Sequence, residues 1–297
     1  MKFSLVALMG LVSWGMCAPI DPPGGNTTET NTLTKRAKFS CDKLVEGLSR
    51  DDCNHMAKID MAGQGENSKT RTDKGIWVGK DGHTQFKFSN KSNGRVAIIV
   101  WNNPKGDYES SFMNVRKPQV SWSLAAGQSL TVSLNEGVSG GFAGLYDAKT
   151  PLSPIGQIHQ TWGEFTTGEY ATIDVSREVR MDGDKMWIKT PIGCVSDMDK
   201  CVFVCSNGQN TCGEKNTYQL KDCKPGSQPG ANYGELFGQP EGGCQGFDKG
   251  GEVAVHLLLR NACQTLLACR VQYACLIHGI GSAACKHEYK RNTQSWA

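Results

Sequence analysis

Residues 120–134 read Val-Ser-Trp-Ser-Leu-Ala-Ala-Gly-Gln-Ser-Leu-Thr-Val-Ser-Leu. Runs 120–124 and 130–134 alternate apolar with small polar side chains, and Ala126-Gly127 separates them. A half-buried strand, a turn and a second strand have this period-two pattern. The same pattern extends in both directions. Toward the N-terminus lie 76–78, 85–88 and 96–101; toward the C-terminus lie 142–146, 171–175 and 185–188. Asp81-Gly82, Asn93-Gly94, Asn103-Pro104, Glu136-Gly137 and Asp182-Gly183 punctuate them as turns. Short strands at close spacing, with no long helical pattern, predict a mainly β fold: an antiparallel β-sandwich over 76–191. No cysteine falls inside it, so its core holds by apolar packing.

The flanks read differently. Residues 1–18 place Lys2 before a short apolar run ending in small residues, the pattern of a secretory signal peptide and too short for a bilayer span. Residues 19–36 are polar and Thr-rich, with no face to bury, and predict a disordered propeptide. It ends at Lys35-Arg36, a dibasic processing site. Glycosylation sequons occur at Asn26 and Asn90. Residues 37–75 predict a helical segment over 40–61, with Ser40 and Asp42 as capping candidates, followed by a polar linker from 62 to 75.

Thirteen cysteines are the most informative count. Losing Cys17 with the signal leaves an even set, as a disulfide framework requires. Cys41 and Cys53 predict a local loop closure. Cys194, Cys201, Cys205, Cys212, Cys223 and Cys244 crowd a Gly-, Asn- and Lys-rich stretch, predicting a disulfide-rich loop domain over 192–250. The competing zinc ribbon lacks a Cys-x-x-Cys pair, and the export signal implies an oxidising compartment, so no metal is expected. The pairing of these six stays open. In 251–297, Val255, Leu258, Leu259, Ala262, Leu266 and Leu267 suggest a helix carrying Cys263, Cys269, Cys275 and Cys285. That segment reads either as a docked helical hairpin closed by two disulfides or as a mistranslated exon. Arg260 and Arg270 exclude a membrane span there.

Charge is nearly balanced, with 32 Lys+Arg against 29 Asp+Glu for a net +3 over 297 residues. Nucleic-acid binders and polybasic membrane-surface proteins want a concentrated positive field, so both classes are set aside. A monomer is expected.

Val120-Ser121-Trp122-Ser123-Leu124, then Gly127 to Val132, then Ser139-Gly140-Gly141-Phe142, resemble the early strands of thaumatin-like (osmotin-type) proteins. Trp162-Gly163-Glu164-Phe165-Thr166, Tyr170 to Ser176 and Met181-Asp182-Gly183 are similar to later motifs of that family, in the same order. The whole chain resembles a fungal secreted cysteine-rich effector. The resemblance implies a sandwich beside a disulfide-rich domain, with an acidic cleft between them that binds or weakly cleaves β-1,3-glucan. Glu164, Asp174 and Asp182 fall on the matching motifs. Tyr146 takes the place aligned with the family's arginine. A third aspartate and the family's sandwich cysteines have no counterpart, which weighs against catalysis.

Glycoside hydrolysis needs one protonated and one ionised carboxyl, about 5–9.5 Å apart. Glu164 is the candidate acid, with Asp174 or Asp182 as its ionised partner; the plain alternative is that all three are solvated strand and turn carboxylates. Gly137-Val138-Ser139-Gly140-Gly141 fits the nucleophile-elbow text, but strand residues follow where a helix is required. Histidines 55, 83, 159, 256, 278 and 287 show no metal-ligand spacing; His159 alone lies near the acidic strands. Trp101, Trp122 and Trp162 read as core in preference to sugar-stacking platforms.

The sequence therefore predicts a secreted, non-enzymatic binding protein without a cofactor. Its expected partner is a cell-wall β-glucan or a host extracellular protein. The alternatives are a weak endo-β-1,3-glucanase and a loop-presenting inhibitor of hydrolases.

Overall fold

The computed structural model describes residues 39–259. The strands predicted by alternation are all present: β1 Ile76–Val78, β2 Thr84–Asn90, β3 Val96–Asn102, β4 Val120–Leu124, β5 Ser129–Leu134, β6 Ser139–Tyr146, β8 Thr172–Ser176 and β9 Lys185–Lys189. Trp162–Thr166 forms β7. The later strands are β10 Val195–Ser196, β11 Val202–Cys205, β12 Tyr218–Lys221, β13 Ala231–Leu236, β14 Gln239–Gln245 and β15 Gly251–Leu258. One sheet runs β1-β5-β2-β15-β9-β10. The other runs β12-β11-β8-β7-β6-β3-β4, with β14 also paired to β8 and β13 to β14. Pairing is antiparallel except for β15 with β2 and β11 with β8. The architecture is a mainly β, sandwich-like arrangement of two sheets.

Two expectations need correcting. Residues 251–258 form the inner strand β15, not the start of a helix. Val253, Val255 and Leu257 are fully buried at every second position, and that period overrides the helical spacing read from Val255 and Leu258. The rest of the expected helix, with Cys263, Cys269, Cys275 and Cys285, lies outside the described residues, as do the signal, Asn26 and Lys35-Arg36. Second, the stretch 192–250 is not only loops. It contributes β10 to one sheet and β11, β12 and β14 to the other, so its staples hold strands of the sandwich itself.

Four disulfides join Cys41 to Cys53, Cys194 to Cys244, Cys201 to Cys223 and Cys205 to Cys212. They resolve the pairing that the sequence left open, and such bonds persist in an oxidising compartment.

The core has two layers. Between the sheets, Phe86 and Phe88 of β2 meet Phe142 of β6 and Phe165 of β7 with ring centroids 4.8–6.3 Å apart, mostly edge to face. On the outer face of the larger sheet, Ala97, Ile99 and Trp101 of β3 pack with Ala143, Leu145 and Trp162. The helix α1, Arg50–Lys58, covers them through Cys53 and Met56. Strand β3 is therefore apolar at consecutive positions because both its faces are covered.

Ser49, not Ser40 or Asp42, caps α1: its Oγ accepts from the Asp52 amide at 3.2 Å. Ser40 and Asp42 instead bond to each other in the preceding turn. The buried Asp52 carboxylate accepts from Arg95 Nε at 2.9 Å and from Ser123 Oγ, which fixes the helix to the sheet. The expected linker 62–75 is ordered against β4. Gly65 N–H donates to Ser121 Oγ at 2.8 Å, and Ser121 N–H donates to Asn67 Oδ1 at 2.8 Å, covering an otherwise open sheet edge.

Asn90 is fully buried at the end of β2, and its Nδ2 donates to the carbonyls of Gly94 and Leu124. An amide used in this way cannot carry a glycan in the folded chain, so the sequon at Asn90 is a turn motif.

Candidate functional site

Register brings the site together. Trp101, Gly141, Glu164 and Asp174 stand in one row across β3, β6, β7 and β8, each directly opposite the next. Directly opposed residues share a sheet face, with Cβ atoms about 4.5–5.5 Å apart. Glu164 and Asp174 therefore project side by side from the outer face. The apolar half of that face lies under α1; the acidic pair occupies the other half.

Gly141 makes room for this row. A Cβ there would lie 2.5 Å from Trp101 Cζ2, so the indole lies across the glycine toward Glu164. Trp101 is 1% exposed, and its Nε1–H has no hydrogen-bond partner. Asp174 is 4% exposed, and its Oδ1 is likewise unpartnered. One buried donor and one buried acceptor without partners thus flank Glu164 in a single row. Such groups are uncommon in native folds and call for an explanation.

The pairing partner of β8 changes beside Asp174. One edge of β8 is shared by two strands: β14 pairs with it at Thr172 and Ile173, and β11 pairs with it at Val175 and Ser176. The partners change at Asp174. Gly243 of β14, at φ +124°, lies against it, and a Cβ there would come within 3.2 Å of Asp174 Cβ.

Two further groups lie close enough to act on this pair electrostatically. Glu178 follows β8, and its carbonyl accepts from the Cys212 N–H at 2.8 Å, tying it to the Cys205–Cys212 loop. Tyr218 of β12 faces the same carboxyls. Burial raises its phenol to about 12, with the charges of Glu178 and Glu164 adding to the shift.

The carboxyls are electrostatically frustrated. Burial raises Glu164, with a hydrogen bond from Ser176 pulling partly the other way. Asp174 is held well above the usual carboxylate range by burial, then by Glu164 and Glu178. Glu178 is held well above it by burial, then by Glu164. None of the ion pairs found among the described residues involves these three.

The other candidate residues fall elsewhere. Asp182 pairs with Arg180 at 2.9 Å in the turn before β9, beside His159. Tyr146 shares the inner face with Phe142 and is buried, its phenol raised first by burial and then by Asp184; it points away from Glu164. Trp101 and Trp162 are buried against each other at 4.9 Å, and Trp162 Nε1 donates to the Ile158 carbonyl. Trp122 lies under the Lys69 ammonium, 4.7 Å from its ring centre. None of the three is an open stacking platform. The sequence reading passed over Glu178 and Tyr218. One signal could have found Glu178: Asp174, Ser176 and Glu178 are polar at every second position.

Residues 81–228 match the family described as Allergen Asp f 4-like domain. No curated protein matches the sequence. Among solved structures, the protein elicitor MoHrip2 from Magnaporthe oryzae is 11% identical, covering 59% of this chain and 98% of its own at a TM-score of 0.29. IP-1A from Alcaligenes faecalis is 10% identical, covering 60% of this chain and 93% of its own at a TM-score of 0.21. The thaumatin-like resemblance is overturned: all of the strand and turn text that carried it lies inside the match to a different family. That text is shared by antiparallel sheets with glycine turns in general. The acidic pair stands on geometry, without the thaumatin-like cleft.

Proposed function

We propose that the chain is an extracellular, effector-type binding protein that engages a glycan at the Glu164–Asp174 row and acts without strong catalysis. The four disulfides and the match to an allergen-type domain support the extracellular, non-enzymatic part. The observation that carries glycan recognition is the pairing of an unpartnered donor, Trp101 Nε1–H, with an unpartnered acceptor, Asp174 Oδ1, on either side of Glu164. A sugar hydroxyl both donates and accepts, so separate hydroxyls of one glycan can answer the two groups.

A second reading, hydrolysis, is favoured by one observation: Glu164 and Asp174 are directly opposed, and Cβ atoms about 4.5–5.5 Å apart allow the carboxyl separation of a retaining pair. Acid–base assignment, however, needs environments that push two pKa values apart. Here Glu164, Asp174 and Glu178 are all raised, which leaves no dedicated ionised nucleophile beside the acid. Binding is therefore the stronger reading.

The test is co-sedimentation of the secreted chain with insoluble polysaccharides, β-1,3-glucan among them, alongside a reducing-sugar assay with Glu164→Gln as control. Sedimentation without sugar release supports the proposal. A supernatant that retains all the protein with every polysaccharide refutes it, and release well above the Glu164→Gln level assigns hydrolysis instead.

A further inference from the structure

We propose that the sugar held at this site carries a primary ammonium, so that the preferred ligand is an amino-sugar polymer and not a neutral glycan. The inference rests on the glycan reading above and specifies its chemistry.

Glu164, Asp174 and Glu178 approach from β7, from β8 and from the turn after β8, and Tyr218 faces them from β12. No cation of the described chain forms an ion pair with the three carboxyls. The nearest arginine in sequence, Arg177, donates to the carbonyls of Met181 and Met198. Asp174 Oδ1 is buried without a partner, and its neighbours at the site are acidic. A group that supplies positive charge together with several donors answers all of these features. An ammonium has three N–H donors and no acceptor, so it can bridge the directly opposed Glu164 and Asp174 carboxyls, with Glu178 adding negative charge from farther off.

A compact divalent ion fits less well. It requires oxygens about 2.0–2.6 Å from one centre. Among the described residues, the one set of three His, Cys, Asp or Glu ligand atoms lying within 4.8 Å of one another is Cys194, Cys201 and Cys244, whose sulfurs are already in disulfides. The carboxyls do not converge that tightly. A spread of acidic groups around an organic ammonium, with hydroxyls beside it for Trp101 Nε1–H and the Tyr218 phenol, suits the site better. A basic peptide would supply the cation but has no hydroxyl array for the indole donor.

The experiment is calorimetric titration of the full disulfide-bonded chain with a β-1,4-linked glucosamine tetramer, its N-acetylated counterpart, an oligolysine of equal charge and calcium chloride. The expected result is binding of the glucosamine tetramer at least tenfold tighter than the acetylated one. Its observed enthalpy should change with the buffer, because binding drives protons off the carboxyls. Asp174→Asn and Glu178→Gln, checked for folding by circular dichroism, should each weaken binding tenfold or more. Equal or tighter binding of the acetylated tetramer overturns this inference and leaves the glycan reading standing. Binding of oligolysine alone overturns both in favour of a basic peptide. Displacement of the tetramer by micromolar calcium assigns a metal site instead, and failure of every glycan to bind refutes the glycan reading itself.

Discussion

Asp174→Asn should gain stability over wild type as pH rises. Asp174 is buried opposite Glu164, with Glu178 nearby. Two like charges about 5 Å apart, at an effective dielectric of about 20, repel by about 3 kcal/mol. The asparagine removes that repulsion, but its buried amide forfeits about 1–3 kcal/mol of its own if it stays unpaired. The net gain expected at pH 8.5 is about 0–2 kcal/mol, up to about 8 °C in Tm for a domain of this size. At pH 4.5 the repulsion is gone and only the amide's own cost remains, so the variant should be no more stable than wild type. Raised carboxyl pKa values mean that the folded chain binds more protons than the unfolded one just above the ordinary carboxylate range. Wild-type stability therefore falls as pH rises through that window, up to the folded-state values, whereas the variant lacks Asp174's share of the slope. Urea denaturation of non-reduced protein, followed by tryptophan fluorescence at both pH values, measures the gap. A variant less stable at pH 8.5 than at pH 4.5, relative to wild type, would show that Asp174 is ionised and satisfied, and the frustrated-carboxyl reasoning would fail.

Other perturbations follow from the same geometry. Gly141→Ala puts a methyl against the Trp101 indole and should destabilise by about 1–3 kcal/mol while shifting the tryptophan emission; unchanged emission and stability would contradict the placement of that ring. Replacing both Cys194 and Cys244 with serine opens a loop of 50 residues and should cost about 4 kcal/mol by chain entropy, read as a lower urea midpoint. Ser49→Ala removes the cap of α1 and should cost about 1 kcal/mol in the same assay. Chain secreted from a glycosylating host should carry no glycan on the Asn90 peptide by mass spectrometry, since that amide is buried.

Much of the sandwich was legible because strands advertise themselves locally. The alternation in 84–90 and 129–134 is visible without knowing which strands pair. The strand β15 was misread because Val255 and Leu258 also suit a helical spacing, and only its place between β2 and β9 settles the period. The disulfide pairing was hidden for a similar reason: partners 50 and 22 residues apart depend on the sheet order, which no local text encodes. Glu164 and Asp174 entered through a family resemblance that proved wrong, and what unites them is a register between β7 and β8. Glu178 sits in the turn after β8, and Tyr218 comes near it only through β12, whose four residues carry too little apolar text to announce a strand.

The partner change on β8 explains why three of the staples cluster where they do. Antiparallel β14 and parallel β11 meet the same edge of β8 on either side of Asp174, and each is anchored covalently, β14 through Cys244 and β11 through Cys205 with Cys201 just ahead of it. Without those anchors, the cheapest way to relieve the crowded carboxyls would be for β11 or β14 to slide and admit water. The Cys205–Cys212 bond spans only 7 residues, so its loss should cost the fold about 2–3 kcal/mol, less than the longer staple. Its effect on ligand binding should be larger than that ranking suggests, because Cys212 N–H holds the backbone of Glu178. The double serine variant should keep a cooperative unfolding transition and lose most of its affinity for whichever glycan the wild type retains. If affinity instead tracked stability across the Cys205–Cys212 and Cys194–Cys244 variants, the staples would be supporting the fold as a whole and the partner change on β8 would have no special claim on them.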